Sequence, residues 1–318
     1  MKTVKVFAPA TIGNVSCGFD VLGLAVQAPG DEVAITLNES REVTIHSIVG
    51  DHGKLPLDAA KNTAGVSVIE FLKSIGSNQG VEIKLYKNLP LGSGMGSSAA
   101  SAVASVVAIN HLMGSPLKRE QLLPFVMEAE RVACGSAHAD NAAPSLLGGL
   151  ILIRQNNPLD IIPIPTPKEL VCVLVHPHIE VTTRDARSVL KSTLSLKDGI
   201  TQWANTAALV AGMMKEDYEL IGRSLVDVVA EPYRADLIPG FDLVKKVALQ
   251  NGALGCGISG SGPTIFCLCK GWTNAQRAGN AIQHQFLSMN LKSEIFISDV
   301  NREGARIIEI TNEIFQHQ

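Results

Sequence analysis

Residues 89–102 read LPLGSGMGSSAASA, and this glycine-rich stretch constrains the fold of the chain more than any other segment. Three glycines come immediately before a run of small residues that predicts a buried helix. Glycine gives up more conformational freedom on folding than any other residue, so such a cluster indicates that bulkier side chains would block a turn or a ligand. The stretch therefore predicts a tight turn that leads from a strand into a helix.

The same residues have the composition of an anion site. The first backbone N–H groups of a helix lack partners, and the helix dipole adds about half a positive charge there. Gly92, Gly94 and Gly96 would let the backbone approach phosphate oxygens, while Ser97 and Ser98 would cap the helix or bind a metal ion at those phosphates. The stretch is neither a P-loop, since it lacks Gly-Lys-Ser/Thr, nor a dinucleotide fingerprint, since Ser97 stands where the third glycine belongs. On these residues alone, a phosphate site and a simple close-packed turn both remain open.

Composition favours a small ligand over a macromolecule. The 318 residues carry a net charge of −3 without a block of lysines and arginines, and 4% of them are aromatic. Neither a basic face for nucleic acid or a membrane surface nor an aromatic platform for bases is therefore expected. The most apolar windows, 99–109 and 146–153, are shorter than a membrane span of about 18 residues. The six cysteines show no disulfide or metal-ligand spacing, which predicts a reduced, cytoplasmic protein.

Strands and helices alternate without strict βαβ regularity, which favours two α+β layers over a doubly wound sheet. Segments that predict strands are KTVKVFAPA, DEVAITL, REVTIHSIV, VEIKLYKNL, GGLILIR, LVCVLVH, PTIFCLC and SEIFISDV. Segments that predict helices are KNTAGVSVIEFLKSIG, SSAASAVASVVAINHLMG, KREQLLPFVMEAERVACG, RDARSVLKS, DGITQWANTAALVAGMMK, DYELIGRSLVDVV and GFDLVKKVALQNG. The stretch NNPLDIIPIPTPKEL carries four prolines and little periodicity. It predicts a boundary between domains 1–160 and 161–318.

Five segments together resemble the GHMP kinases, the superfamily of galactokinase, homoserine kinase, mevalonate kinase and phosphomevalonate kinase. PLGSGMGSSAAS resembles the central motif of the superfamily, and GALGCGISGSGPTIFCL resembles its third motif. APATIGNVSCGFDVLGLA is similar to the first motif in the form that homoserine kinases carry, and VAEPYRADLIPGF and GSAHADNAAPSLLGG are similar to other segments of theirs. The resemblance implies a two-domain α+β fold. Its amino-terminal domain would contain a left-handed βαβ crossover, and its carboxy-terminal domain would be ferredoxin-like.

The resemblance also implies an activity: ATP-dependent phosphorylation of the L-homoserine hydroxyl, giving O-phospho-L-homoserine and ADP in threonine biosynthesis. It implies Mg²⁺ as a cofactor and a homodimer. The nucleotide contacts that it implies are Asn62, Lys87, Pro90, Leu91, Gly92, Ser93, Gly94, Met95, Gly96, Ser97, Ser98, Ala99 and Ala100.

Ser98 and Glu130 are the metal ligands that the resemblance implies. A hydroxyl and one carboxylate suffice, because Mg²⁺ usually keeps several water and phosphate ligands. Glu130 has an alternative interpretation as a solvated helix charge paired with Arg131 or with another neighbour. The alternative interpretation of Asn62 is a helix cap, and that of Lys87 is an exposed residue on a strand.

An amino-acid substrate offers an ammonium, a carboxylate and a hydroxyl group. The substrate contacts that the resemblance implies are Asn14, Asp20, His138, Asp140, Asn141, Arg187 and Arg234. Asp20 and Asp140 suit the ammonium group, and the planar fork of Arg234 suits the carboxylate. A surface ion pair remains the alternative interpretation for Asp20 and Arg234.

Asn141 and Arg187 are the implied catalytic residues. Asn14, His138 and Asn141 would orient the hydroxyl end, and Arg187 would face the transferring phosphoryl group or the substrate; His138 has an alternative role as a hydrogen-bonded spacer. Mevalonate and galactose kinases carry an aspartate at the position that matches Asn141, and an amide cannot act as a base near neutral pH. The neighbouring Asp140 is a candidate substitute base, but one step along the chain is expected to point its side chain away from the direction of the Asn141 side chain. Because phosphoryl transfer passes through a loose transition state, the sequence predicts catalysis without a dedicated protein base.

The first motif departs from the family pattern in one place. It carries Ser16 and Cys17 where many relatives have a glycine and a variable residue. This difference predicts a restricted loop beside the substrate.

Three other functions compete with this one. A mevalonate-type or other small-alcohol kinase would share the motifs, but Asn141 and the EPYR segment argue against it. A non-catalytic nucleotide-binding module would retain the fold, but it would not need Ser98 and Glu130. A nicotinamide-dependent oxidoreductase would need the dinucleotide fingerprint that the glycine-rich stretch lacks.

Overall fold

The computed structural model of the protein describes residues 2–135 and 138–312. The strands are β1 (Lys2–Gly13), β2 (Leu22–Asn38), β3 (Val43–Val49), β4 (Gly80–Tyr86), β5 (Leu150–Asn156), β6 (Leu159–Ile164), β7 (Leu170–Pro177), β8 (Ala253–Ile258), β9 (Ile265–Lys270), β10 (Ser293–Asp299) and β11 (Arg306–Asn312). The helices are α1 (Thr63–Ser74), α2 (Ser97–Leu112), α3 (Leu123–Cys134), α4 (Ala139–Leu147), α5 (Thr183–Ser188), α6 (Leu196–Lys215), α7 (Tyr218–Ser224), α8 (Glu231–Arg234), α9 (Phe241–Gln250) and α10 (Trp272–Ser288). The strands form two sheets.

The first sheet has seven strands and runs in the order β11-β1-β2-β4-β3, with β5 and β6 continuing from β2. Its pairs are antiparallel except for β3 and β4, which are parallel and connected through α1. This βαβ unit lies where the resemblance predicts a left-handed crossover. Helix α2 packs against β1, β2 and α1, and twelve of its sixteen residues are buried. Its serines, alanines and valines allow this close approach, which brings the glycine-rich turn before α2 to the end of the sheet.

The second sheet is antiparallel and has the order β10-β7-β9-β8. Helices α9 and α10 pack on it, and between them they contribute apolar residues to its core. The order places the fourth strand beside the first and the third beside the second, as in ferredoxin-like domains. The α+β class and the ferredoxin-like carboxy-terminal unit predicted above are therefore confirmed.

Several elements differ from the sequence prediction. The polar segment after α3 forms helix α4; residues 136 and 137 of that segment lie outside the described residues. The proline-rich stretch contains β6, which tolerates prolines because it pairs only with β5 at the edge of the sheet. Sequence patterns also missed β8, whose glycines conceal it, and α10, whose buried face is built largely from alanine and glycine.

The predicted boundary between residues 160 and 161 falls inside β6, so the first sheet continues to Ile164. Strand β11 then returns from the end of the described chain and pairs with β1. The division into domains 1–160 and 161–318 stays a prediction. Among the described residues, no helix combines the length and the apolar character that crossing a membrane requires.

Candidate active site

A cavity of about 320 Å³ brings together residues from both halves of the chain. Of the residues predicted to bind nucleotide, substrate or metal, those that line it are Asn14, Asp20, Asn62, Lys87, Leu91, Gly92, Ser93, Gly94, Gly96, Ser97, Ser98, Glu130, His138, Asp140, Asn141, Arg187 and Arg234. Four predicted nucleotide contacts lie outside its walls: Pro90, Met95, Ala99 and Ala100. The last three are buried, because they anchor the turn and α2 in the core.

The glycine-rich turn reaches the cavity in a conformation that suits glycine. Gly92, Gly94 and Gly96 have φ angles of 63°, 76° and 72°, in the left-handed region that other residues rarely adopt. A Cβ on Gly94 would lie 2.3 Å from the carbonyl oxygen of Ser259, and one on Gly96 would lie 2.2 Å from Oγ1 of Thr11. The glycines are thus required for close packing. Gly96 is also the N-cap of α2 and supplies no side-chain acceptor, which leaves the first N–H groups of the helix to a ligand.

An ion pair that the sequence did not predict holds the two ends of this turn. The ammonium group of Lys87 donates to the carboxylate of Asp31, to the carbonyl oxygen of Ser97 at 2.9 Å and to Oγ of Ser101 at 2.7 Å. Asp31 is fully buried, and it also accepts from the N–H groups of Asn88 and Leu89 and from the hydroxyl of Ser97. Lys87 is therefore buried rather than exposed, and its three protons already have partners.

Asn62 caps a helix, as its alternative interpretation has it, and also lines the cavity, where nucleotide contact stays a prediction. Its Oδ1 accepts from the N–H of Ala64 at 3.1 Å and so caps α1, and its Nδ2 donates to the carbonyl of Pro56 at 3.0 Å. The same side chain lines the cavity beside Leu55, Pro56 and Lys61. These neighbours belong to the segment before α1, which carries no recognisable motif.

Glu130 is suited to a cation. One of its carboxylate oxygens, Oε1, is buried and has no hydrogen-bond partner among the described residues. Burial raises the pKa of Glu130, whereas a hydrogen bond with Ser98 and the charge of Lys87 lower it. Arg131 pairs with Glu128 at 2.5 Å, so the alternative pairing with Glu130 does not form. A hydroxyl and a carboxylate with a free oxygen fit the requirements of Mg²⁺.

At the other end of the cavity, Arg187 lies between two predicted substrate residues. Its Nη2 donates to Asp20 at 2.9 and 3.2 Å, and to Nε2 of His138 at 2.8 Å, while its Nε is buried without a partner among the described residues. Burial lowers the pKa of His138, which agrees with a neutral ring that accepts a hydrogen bond from Arg187. Asp20 is thus in an ion pair, but inside the cleft rather than on the surface.

Arg234 is buried, and its described hydrogen bonds go to backbone carbonyls. Its Nε donates to Ala186 at 2.9 Å and its Nη1 to Gly260 at 2.8 Å. The ring of Phe19 lies 5.3 Å from its guanidinium carbon. Since these partners carry no formal charge, the guanidinium charge is available to an anionic ligand, and the surface ion pair considered for Arg234 does not form.

Asp140 and Asn141 lie in the first turn of α4. Oδ1 of Asn141 accepts from Oγ1 of Thr11 at 2.8 Å, which fixes the orientation of the amide. A Cβ on Gly13 would lie 2.8 Å from Oδ2 of Asp140 and 2.9 Å from Nδ2 of Asn141. The expectation that Asp140 points elsewhere is therefore wrong, because side chains in the first turn of a helix lean towards its N-terminus. Burial raises the pKa of Asp140 to about 7.

The loop of the first motif is strained where the family pattern has a glycine. Asn14, Val15 and Ser16 have φ angles of 67°, 45° and 61°, which are unfavourable for residues with a Cβ. Nδ2 of Asn14 donates to the carbonyl of Gly260 at 2.9 Å, so this loop contacts the third motif. Thr183 and Ser261 also line the cavity and were not predicted, although Ser261 lies within the third motif.

Comparison with known proteins agrees with this geometry. The sequence model of the GHMP kinases N terminal domain matches residues 62–149, and that of the GHMP kinases C terminal matches residues 208–287. The chain belongs to the GHMP kinases.

Full-length relatives show to which group within this family the chain belongs. The chain is 56% identical to homoserine kinase of Chlorobium phaeobacteroides (strain BS1), over 97% of this chain and 100% of that protein. It is 38% identical to homoserine kinase of Xylella fastidiosa (strain M12), over 96% and 94% of the two chains. The crystal structure of homoserine kinase from Cytophaga hutchinsonii has a TM-score of 0.94 and 53% identity, and the match covers 96% of this chain and 97% of that one. Within its class, the chain belongs to the homoserine kinases.

More distant structures show the shared fold. Mevalonate kinase from Methanococcus jannaschii has a TM-score of 0.67 at 14% identity, over 96% of this chain and 98% of that one. At this identity the likeness concerns the fold alone.

Proposed function

We propose that the chain transfers the γ-phosphoryl group of ATP to the hydroxyl of L-homoserine, forming O-phospho-L-homoserine and ADP in threonine biosynthesis. One observation carries the proposal. A single cavity joins the uncapped N-terminus of α2 to a group of two acidic residues and two arginines: Asp20, Asp140, Arg187 and Arg234. The first part suits a polyphosphate, and the second suits a molecule that carries both an ammonium and a carboxylate.

Each end of the substrate has a matching group. Asp20 and Asp140 would accept from the ammonium, and Arg234, whose charge has no carboxylate partner among the described residues, would bind the carboxylate. Arg187 already bonds to Asp20 and His138. From there it would stabilise negative charge on the transferring phosphoryl group.

The hydroxyl end would lie near the amide of Asn141. Thr11 holds Oδ1 of this amide, so its Nδ2 would donate to the substrate hydroxyl and place it in line with the phosphoryl group. An amide cannot take the proton, and the loose transition state does not require its early removal. The proton would pass to a phosphate oxygen.

Ser98 and Glu130 would hold Mg²⁺ beside the phosphates, since Oε1 of Glu130, unpartnered among the described residues, offers a ligand. When bound, the metal offsets negative charge on the phosphate oxygens. The Asp31–Lys87 pair would hold the glycine turn that receives those phosphates. The homodimer that the resemblance implies and the cytoplasmic location that the cysteine pattern predicts both stay predictions.

A coupled assay of ADP release with a panel of alcohols tests the proposed function. L-Homoserine should be phosphorylated in the presence of Mg²⁺, and mevalonate, which has a carboxylate but no ammonium, should react far more slowly. Binding of ATP without turnover of any alcohol would favour the non-catalytic alternative. Preference for mevalonate would contradict the roles given to Asp20 and Asp140.

A further inference from the structure

Gln202 on α6 uses every hydrogen-bonding group of its amide. Nε2 donates to the carbonyl oxygen of Cys17 at 2.8 Å and to Oδ1 of Asp227 at 2.9 Å. Oε1 accepts from the N–H of Val228 at 2.9 Å. The side chain is buried, so water does not readily replace these bonds. A buried amide with all of its bonds made fixes the relative positions of the groups that it joins.

The bond from Gln202 to the carbonyl of Cys17 connects helix α6 to the loop that carries Asp20. Cys17 belongs to the segment 14–20, and Thr206, one turn further along α6, also donates to its carbonyl, at 2.7 Å. Within the segment, Oδ1 of Asn14 accepts from the N–H of Asp20 at 3.0 Å. Helix α6 therefore supports the loop that carries the carboxylate proposed to bind the ammonium group.

The bond from Gln202 to the carboxylate of Asp227 connects helix α6 to the short helix that carries Arg234. The carboxylate of Asp227 accepts from three consecutive backbone N–H groups at the start of α8, those of Val229, Ala230 and Glu231. Arg234 is the last residue of this four-residue helix. By holding Asp227, Gln202 supports the helix that carries the guanidinium proposed to bind the carboxylate.

Gln202 itself lines a second cavity, of about 550 Å³. It would therefore act through Cys17 and Asp227 rather than by touching the substrate. We propose that Gln202 is a positioning residue that sets the span between Asp20 and Arg234, and so favours substrates that carry an ammonium and a carboxylate at the spacing of an α-amino acid. This inference rests on the proposed function.

The test is Gln202→Met, which keeps the length of the side chain and removes its hydrogen bonds. We expect the KM for L-homoserine to rise about tenfold, and the KM for ATP to change by less than about twofold. Two analogues, each with one charged end, separate positioning from general damage: 4-hydroxybutanoate lacks the ammonium and 3-aminopropan-1-ol lacks the carboxylate. Their inhibition constants against L-homoserine should change by less than about twofold, because neither needs both ends held at a fixed span.

Asn205→Ala is the matched control. Asn205 lies on the same helix and donates to the carbonyl of Val226 at 3.2 Å, next to the segment that Gln202 holds, but it does not bond to the loop. Asn205→Ala should leave the KM values for L-homoserine and ATP, and the inhibition constants of both analogues, near those of the wild type. Gln202→Asn, which keeps an uncharged amide on a side chain one methylene shorter, serves as a second variant if the first does not fold.

Two results would overturn the proposal: an unchanged KM for L-homoserine in a folded variant, or an equal rise in the constants for L-homoserine, ATP and both analogues. The wild-type protein in the same assay tests the proposed function separately. If the wild-type protein phosphorylates L-homoserine and the variant does so with the same KM, the positioning role fails and the proposed function stands. If the wild-type protein does not phosphorylate L-homoserine, the proposed function itself fails.

Discussion

Asp31 and Lys87 form a buried ion pair beneath the glycine-rich turn, although 56 residues separate them in the sequence. The pair touches backbone on both sides of the turn, at Asn88 and Leu89 before it and at Ser97 after it. It therefore clamps the residues between them into one conformation.

Replacing Lys87 should disrupt this clamp. Lys87→Met leaves the carboxylate of Asp31 buried without a cation, which is expected to lower the free energy of unfolding by about 3–5 kcal/mol. The KM for ATP should rise more than the KM for L-homoserine, because the distortion lies at the phosphate end of the cavity. Urea unfolding and steady-state kinetics measure both effects.

Lys84→Met is the control for that variant. Lys84 lies on β4, which ends one residue before Lys87, but it is partly exposed and pairs with Glu82 at 3.4 Å. Its loss should cost less than about 1 kcal/mol. Equal effects of the two substitutions would show that Lys87 is not a special support of the turn.

Glu130→Gln tests the proposed metal ligand. Because burial raises the pKa of Glu130, its ionised form is unfavourable in the protein without metal, and a neutral amide should keep or increase the melting temperature. Activity should nevertheless fall about 100-fold, and more Mg²⁺ should be needed for half-maximal rate. Glu128→Gln removes an exposed helix charge and serves as the control. It should change neither the activity nor the Mg²⁺ concentration needed for half-maximal rate. A variant with wild-type Mg²⁺ dependence would remove Glu130 from the metal site.

Asp140 should give the reaction a pH dependence in binding but not in turnover. With a pKa of about 7, its carboxyl is mostly neutral below that pH and ionised above it. Since the ionised form is needed for an ammonium group, kcat/KM for L-homoserine should rise between about pH 6 and pH 8, while kcat at saturation stays level because the bound ammonium keeps Asp140 ionised. Asp140→Asn should abolish this rise. A limb in kcat that disappears in the variant would instead identify Asp140 as a base and contradict the proposed mechanism.

The same pKa has a consequence for stability. It lies above that of a free aspartate, so the stability that Asp140 contributes is complete below about pH 4 and is lost as the pH rises through about 7. Melting temperatures of the wild type and Asp140→Asn should therefore differ more in favour of the variant at pH 8 than at pH 5.

Asn141→Ala should lower kcat through misplacement of the hydroxyl. The loss of its amide should reduce kcat about 100-fold, in line with the effect of small displacements at a reacting atom. The shape of the pH profile should stay that of the wild type, because no titrating group is removed. Thr11→Val removes the hydrogen bond that fixes the amide of Asn141 but keeps the amide itself. It should therefore lower kcat less than Asn141→Ala does. A pH profile that changes in Asn141→Ala would argue for a role in proton transfer.

The sequence was informative where a residue type answers a local backbone need. The positive φ angles of Gly92, Gly94 and Gly96 explain why the glycine-rich stretch is recognisable from its residues alone. The proposed ligand role of Glu130 and the grouping of residues around Arg187 came from resemblance, because their partners lie far away in the chain. Asp31 was missed for the same physical reason: within DEVAITL it looks like any acidic residue at the start of a strand, and its partner becomes visible only when β2 and β4 pair.

Elements that carry weak patterns were also missed. The buried face of α10 includes Ala275, Ala278 and Gly279, whose small side chains give little apolar signal. Strand β11 is largely exposed, so the alternation that marks a half-buried strand is absent from it. In both cases packing against a neighbour, rather than local preference, decides the structure.

The return of β11 to β1 also bears on how the protein is made. During synthesis, β1 is made about 300 residues before β11, so its outer edge must wait for β11 before its neighbour in the sheet arrives. Until then that edge is open to pairing with another nascent chain. The synthesis of β11, rather than the completion of the strands that precede α4, is thus the step at which the outer edge of β1 becomes protected from aggregation.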